Sequence, residues 1–252
     1  MVFFLDFSKA FDTVDHNILF AKLSFYGIRG LAYKWIVSYL SERNQYVSFD
    51  GVDSKVSSIS IGVPQGSVLG PLLFLLYIND LSNTSKLLSI ILFADDSSAL
   101  LSGSNLIEMQ NIINKELDKI VSWLECNKLS LNISKSHFII FSCKKVVTPI
   151  TLFMKQAVLS QVKNTKFLGV IIDNRLSWKE HILYIKGKIA RGAGILRKCK
   201  KIFNQKTLLN LYYSFIYPHL YYNIETWGSV CKTYIQCLVK LQKKLCSYVN
   251  IF

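Results

Sequence analysis

Acidic residues are scarce in the second half of this 252-residue chain. Residues 135–252 carry 3 Asp+Glu against 20 Lys+Arg, whereas residues 1–134 carry 13 against 10. The formal net charge of +14 therefore divides into +17 and −3. A basic half joined to a mildly acidic one suggests a polyanion held by one part and chemistry done by the other. The plainer alternative is a basic, solvated face. Long apolar runs are also lacking. The longest, Leu72–Ile78, is too short to span a bilayer. The run Val2–Leu5, closed by Asp6, is too short for a secretory signal. No membrane is expected, and the expected compartment is intracellular. Cys126, Cys143, Cys199, Cys231, Cys237 and Cys246 form no C-x2-C pair and have no His at zinc-finger spacing. That excludes the common zinc frameworks and suggests reduced thiols. His16, His137, His181 and His219 stand near no nucleophile, which leaves no Ser-His-Asp reading.

What is present is a core. The chain is 51% hydrophobic and 13% aromatic, which excludes a disordered protein. Residues 2–7 read as a buried strand. Asp15 or Asn17 caps a helix through Ile18, Leu19, Leu23 and Tyr26 that stops at Gly27. A second helix is expected over about 31–40. Alternation predicts a strand over 45–50, a turn at Gly51 and a partner strand over 56–61. An apolar helix is expected over 72–81. A hairpin follows over about 88–101, then an amphipathic helix with Leu106, Met109, Ile113, Leu117 and Leu124 on one face, capped by Ser102 or Ser104. Strands are expected over 137–142, 151–154 and 166–173, the last two as a hairpin. From Trp178 onward the chain reads as helical. Its composition changes near residue 175, the expected domain boundary.

Three carboxylates close apolar runs from different parts of the chain. Asp6 ends the first strand, and Asp95-Asp96 sit at the turn of the hairpin. Asp is common in turns for local reasons. Yet acids offered together from neighbouring strands suit Mg²⁺, which takes hard oxygen ligands and keeps water or phosphate in its other positions. Crowded carboxylates also raise one another's pKa.

Asp6-Phe7-Ser8-Lys9-Ala10-Phe11-Asp12-Thr13-Val14-Asp15-His16 resembles motif A of reverse transcriptases, in the form found in LINE-type, non-LTR retrotransposons. Gly62-Val63-Pro64-Gln65-Gly66-Ser67-Val68-Leu69-Gly70-Pro71 and the run that follows resemble motif B. Phe93-Ala94-Asp95-Asp96 resembles motif C. Asn132, Lys135 and the strand to Phe141 resemble motif D, and Phe167-Leu168-Gly169-Val170 resembles motif E. Each motif alone is weak; five in the family's order, over residues 2–173, are specific. The jockey-like wing is the nearest likeness.

The resemblance implies an α+β fold: a polymerase palm (antiparallel sheet with packed helices) over 1–175, followed by a basic helical thumb over 176–252. It implies an RNA-directed DNA polymerase, a nucleotidyltransferase that joins dNTPs to a DNA primer on an RNA template. Two Mg²⁺ ions, or Mn²⁺ in their place, would be held by Asp6, Asp95, Asp96 and the Phe7 carbonyl. Phe11 would exclude a ribose 2′-hydroxyl, though as a residue it reads equally as plain core. Gln65 and Gly66 would meet the incoming nucleotide. Lys135 would protonate pyrophosphate, although a lysine on a surface strand is ordinarily just solvated. Phe167, Leu168 and Gly169 would support the primer end. In the thumb, Lys186, Lys188, Arg191, Arg197, Lys198, Lys200 and Lys201 would track the duplex backbone, giving strongly salt-dependent affinity. Tyr212, Tyr213, Tyr217, Tyr221 and Tyr222 could stack bases, but their helical spacing favours core. Asp12 and Asp15 read as helix-start residues, and His16 as structural.

Five residues precede Asp6, where the family carries further motifs that make the fingers, with an endonuclease upstream. The expectation is a palm-plus-thumb fragment whose nucleotide grip is incomplete without that missing part of the parent element. The alternative is an inactive remnant that only binds RNA or DNA.

Overall fold

The structure, a computed structural model, describes residues 1–143 and 150–249. Strand β1 (Val2–Asp6) leads through a 3-10 turn (Ala10–Asp12) to α1 (His16–Phe25) and α2 (Gly30–Leu40). Four short strands follow: β2 (Arg43–Gln45), β3 (Ser48–Phe49), β4 (Val52–Asp53) and β5 (Ser57–Ile59). Helix α3 (Leu69–Ile78) runs into a 3-10 segment (Asn79–Thr84) and the hairpin β6 (Ser89–Phe93) and β7 (Asp96–Leu100). Then come α4 (Leu106–Cys126), β8 (His137–Ile139), β9 (Phe153–Met154), β10 (Ala157–Val158), β11 (Ser160–Gln161), β12 (Asn164–Phe167) and β13 (Val170–Asp173). The remainder is helical: α5 (Lys179–Cys199), α6 (Gln205–Phe215), α7 (Tyr217–Tyr221), α8 (Ile224–Trp227) and α9 (Lys232–Val249).

The described residues pack as two compact units. Among the described residues, one holds Met1–Ile140 and 150–161; the other holds 141–143 and the chain from Val162. The first is a mixed α/β unit built on a sheet ordered β11-β8-β1-β7-β6, antiparallel except for the β11–β8 edge. Central β1 buries Phe3, Phe4 and Leu5, so it is covered on both faces. Opposite it, β7 contributes the small buried residues Ser97, Ser98 and Ala99. Helix α4 turns Met109, Ile113, Leu117, Ile120 and Leu124 into the same core, each worth about 1.5–3 kcal/mol of burial.

Polar ties fix the helices around that core. Asp15 caps α1 by accepting from the amides of Asn17 (2.9 Å) and Ile18 (3.1 Å). Lys128 Nζ lies 2.7 Å from its other oxygen and, by that hydrogen bond above all, holds the Asp15 carboxyl below the usual range. Buried Tyr77 on α3 donates to the Asn127 carbonyl (2.6 Å) and receives the Asp15 amide (3.4 Å). Burial pushes its phenol up to about 12. Lys22 on α1 reaches Asp80 at 2.6 Å and lies 4.7 Å from the Trp123 ring, so one cation links α1, the end of α3 and α4.

Several sequence expectations are corrected. The strand expected over 45–50 is two pieces: β2 pairs with β5, and β3 pairs with β4 across an Asp50-Gly51 turn. The cap of α4 is Asn105, whose side chain accepts from the Ile107 amide, not Ser102 or Ser104. The strands of 151–154 and 166–173 do not pair with each other. β9 pairs with β10, and β12 with β13. The β12–β13 hairpin lies in the helical unit, so the division between units precedes it rather than falling near residue 175.

Replacing Tyr77 by Phe leaves the Asn127 carbonyl and Asp15 amide without their partner inside the core. The expected cost is about 1–3 kcal/mol, read as a lower urea midpoint with an unchanged slope.

Candidate active site

Pairing between β1 and β7 sets Asp6 opposite Asp96, at the same end of the sheet. Asp96 also pairs with Phe93, so only Ala94 and Asp95 make the β6–β7 turn. Ala94 accepts a left-handed φ of 50° to close it, a conformation costing an L-residue about 1–2 kcal/mol. The turn leaves Asp95 exposed beside Asp96, while Asp6 is half-buried. Partial burial first, then the charges of Asp95 and Asp6, push the Asp96 carboxyl above the usual range. Asp96 therefore feels both of the other acids.

The segment resembling motif D runs alongside. Phe7 bridges to Leu131, the Ser8 amide donates to the Ser130 carbonyl (2.8 Å) and the Asn132 amide to the Asp6 carbonyl (2.8 Å). The Asp6 amide in turn donates to Ser136 Oγ at 3.1 Å. Lys135 lies in this turn, exposed, rather than on the strand expected for it. The Phe7 side chain is buried.

On the other side, the 3-10 turn after β1 is zipped to the Pro-Gln-Gly loop. The Val63 amide donates to the Phe11 carbonyl (2.8 Å) and the Gly62 amide to the Val14 carbonyl (2.7 Å). Gly62 has φ +85°, and a Cβ there would stand 2.9 Å from the Asp12 carbonyl, so only glycine allows this approach. Gln65 Nε2 donates to Asp12 Oδ1 at 2.7 Å. Asp12 is thus the holder of Gln65 more than a helix-start residue, a role no local signal announced. His16 Nε2 meets the Gly62 carbonyl at 2.7 Å, in keeping with a structural role. The Phe11 ring lies 4.7 Å from that of Phe74, half-buried at the edge of the core. Gly66, at φ +78°, is exposed.

Beside Gln65 opens a cavity of about 630 Å³ lined by Asp12, His16, Arg43, Gln45, Ser58 and Gln65 among others. Arg43, Gln45 and Ser58 were not singled out by the sequence. They come together because β2 pairs with β5, in a register that extends the ladder back to Arg43, outside the strand expected over 45–50.

The remaining candidates lie in the second unit. Phe167 ends β12, and Leu168 and Gly169 form the β12–β13 turn. On α5, Lys186, Arg191 and Arg197 are exposed, and Lys188 is half-buried with its Nζ 5.6 Å from the Tyr184 ring. Tyr212 is buried as core spacing predicts, but Tyr213, Tyr217, Tyr221 and Tyr222 are exposed, because α6 and α7 turn their Tyr-rich side outward. No helix among the described residues is long and apolar enough to cross a membrane.

Among the described residues no three Asp, Glu, His or Cys side chains stand close enough to cage an ion by themselves. The neighbouring acids supply oxygen only, the hard donor type that Mg²⁺ takes, with its remaining positions left to water and phosphate.

A family model described as reverse transcriptase (RNA-dependent DNA polymerase) matches residues 1–172. The chain is 28% identical to the RNA-directed DNA polymerase from mobile element jockey of Drosophila melanogaster, over 96% of this chain and 27% of that protein. It is also 28% identical to the probable RNA-directed DNA polymerase from transposon X-element of the same fly, over 98% of this chain and 28% of that protein. The chain thus spans a little over a quarter of the length of these relatives. Among solved structures, telomerase from Candida albicans in complex with a fragment of telomeric RNA aligns with all of this chain and 47% of that one, at 12% identity. Its TM-score of 0.44 is too low to add to the fold described above.

Because the Asp96 carboxyl is raised, the folded state holds its proton more tightly than the unfolded state does. This contribution to stability is present at low pH and is lost as pH rises through the carboxylate range. Asp96→Asn should therefore raise the melting temperature at neutral pH without metal, by about 1–2 °C given the exposure of the group. The gain should vanish on acidification and when Mg²⁺ is added, as followed by thermal melts across pH.

Proposed function

We infer the chemistry from one premise: the chain belongs to the reverse transcriptase (RNA-dependent DNA polymerase) family, whose model covers residues 1–172. Its similarity to the polymerases of jockey and X-element makes it a jockey-like reverse transcriptase domain of the non-LTR type. We propose that this domain adds deoxynucleotides to a DNA primer on an RNA template. The observation that carries this reading is the Asp6–Asp96 register, with Asp95 at the adjoining turn.

In this reading the sheet unit is the palm and the helical unit the thumb. Asp6 and Asp95 are the principal metal ligands, with the Phe7 carbonyl beside them and Asp96 nearer the primer. Two divalent ions held there, Mg²⁺ or Mn²⁺ in its place, would lower the pKa of the primer 3′-hydroxyl and neutralise the departing pyrophosphate. The protein's own part is mostly positioning. Gln65, tied to Asp12, and Gly66 line the place of the incoming nucleotide. Phe11, backed by Phe74, bars a ribose 2′-hydroxyl. Lys135 is free of the sheet and can deliver a proton to pyrophosphate. The β12–β13 turn supports the primer end. Lys186, Lys188, Arg191 and Arg197 hold the duplex backbone, independent of sequence.

The test is primer extension by the chain on an RNA template with Mg²⁺ and dNTPs. Asp6→Asn and Asp95→Asn should each reduce the rate by about 10³-fold, the scale of a lost metal ligand, while leaving hybrid binding intact. Salt-sensitive binding with no extension, indifferent to both substitutions, would leave a nucleic-acid-binding remnant and end the polymerase reading.

Phe11→Val opens space beside the sugar. Incorporation of ribonucleotides relative to deoxynucleotides should rise by about 10–200-fold, measured as the ratio of kcat/KM for the two substrates.

A further inference from the structure

The β12–β13 turn is strained and is held from outside. Leu168 has φ 44° and Gly169 φ 83°, so both central residues are left-handed, the pattern of a type I′ turn. Leucine is a poor choice for that region, where a bulky residue is an outlier. Such a conformation persists only when its surroundings over-determine it.

The surroundings are Tyr222. Its hydroxyl donates to the Leu168 carbonyl at 2.8 Å. Its ring fills the space where a side chain on residue 169 would go, since a Cβ on Gly169 would stand 3.1 Å from Tyr222 Cε1. Tyr222 is itself anchored: Trp227, only 1% exposed, donates its indole N–H to the Tyr222 carbonyl at 2.9 Å. His181 packs edge-on against Trp227 at 5.6 Å, and its Nδ1 accepts the amide of Ile171 on β13 at 3.2 Å. Accepting at Nδ1 fixes the neutral tautomer with its proton on Nε2, in line with the lowering of this imidazole's pKa by burial. The chain of contacts leaves the hairpin at Leu168 and returns to it at Ile171. All of these residues belong to the helical unit.

We propose that Tyr222 is a positioning residue for the primer-supporting turn: its hydroxyl and ring hold Leu168-Gly169 in the left-handed geometry that meets the primer strand. The inference rests on the reading of this turn given above. Tyr222 is 55% exposed. Its hydroxyl therefore contributes little to folding, and its removal isolates the positioning role.

The test compares the chain with its Tyr222→Phe variant, using an RNA–DNA primer–template hybrid as the probe. Tyr222→Phe should keep the melting temperature, weaken hybrid binding by about 3–10-fold, and leave the salt slope of binding unchanged because no phosphate contact is lost. Hydrogen exchange at Gly169 and Val170 should quicken in the same variant. Tyr222→Ala should weaken binding further. A hybrid affinity within twofold of the parent, or unaltered exchange at the turn, overturns the proposal even where the parent extends primers. Failure of the parent chain to bind the hybrid at all overturns both this proposal and the reading of the turn beneath it.

Discussion

The site depends on the antiparallel pairing of β1 with β7. That register sets Asp6 across from Asp96 and leaves Asp95 at the adjoining turn. A slip of one residue would turn one of the facing carboxylates to the opposite side of the sheet. The pairing is anchored by burial: Phe3, Phe4 and Leu5 on one strand and Ser97, Ser98 and Ala99 on the other all lie inside. The sheet thus holds Asp96 at a cost, its carboxyl raised first by partial burial and then by the charges of Asp95 and Asp6.

Around this pair the chain uses backbone contacts more than side chains. The turn after β1 is zipped to the Pro-Gln-Gly loop on one side and the segment from Ser130 to Ser136 on the other. Backbone hydrogen bonds are short and directional, so they fix neighbouring segments more tightly than long side chains could. Gly62 is the point where this demands the absence of a side chain. Gln65 is then oriented by Asp12, so the loop and the acids share one support.

The helical unit solves a related problem with side chains. Asp173 ends β13 and accepts from the amides of Arg175, Ser177 and Trp178, turning the chain directly into α5. That turn brings His181 under the hairpin, and with it Trp227 and Tyr222. A strained two-residue turn is thereby held by Tyr222, 54 positions along the chain from Leu168.

Much of this was legible in the sequence. The first strand, Asp15 as a cap, the apolar α3, the acidic hairpin and α4 are all set by local periodicity and capping chemistry, which act within a few residues. The acids were legible for the same reason, as residues closing apolar runs, and the motif order suggested the role proposed for them. Partner choice was not legible. Strands 151–154 and 166–173 suit each other in composition, yet each closes its own hairpin. The Lys155-Gln156 turn takes positive φ at both residues without the Asn-Gly pair that would have announced it. Arg43 in the cavity, Asp12 on Gln65 and Tyr222 on Leu168 are likewise contacts between distant segments. The sequence by itself determined the candidate acids and most of the helices and strands, because those preferences are written in neighbouring side chains. Only the tertiary structure decided which segments meet, because that choice is made by burial and hydrogen-bond satisfaction over the whole chain.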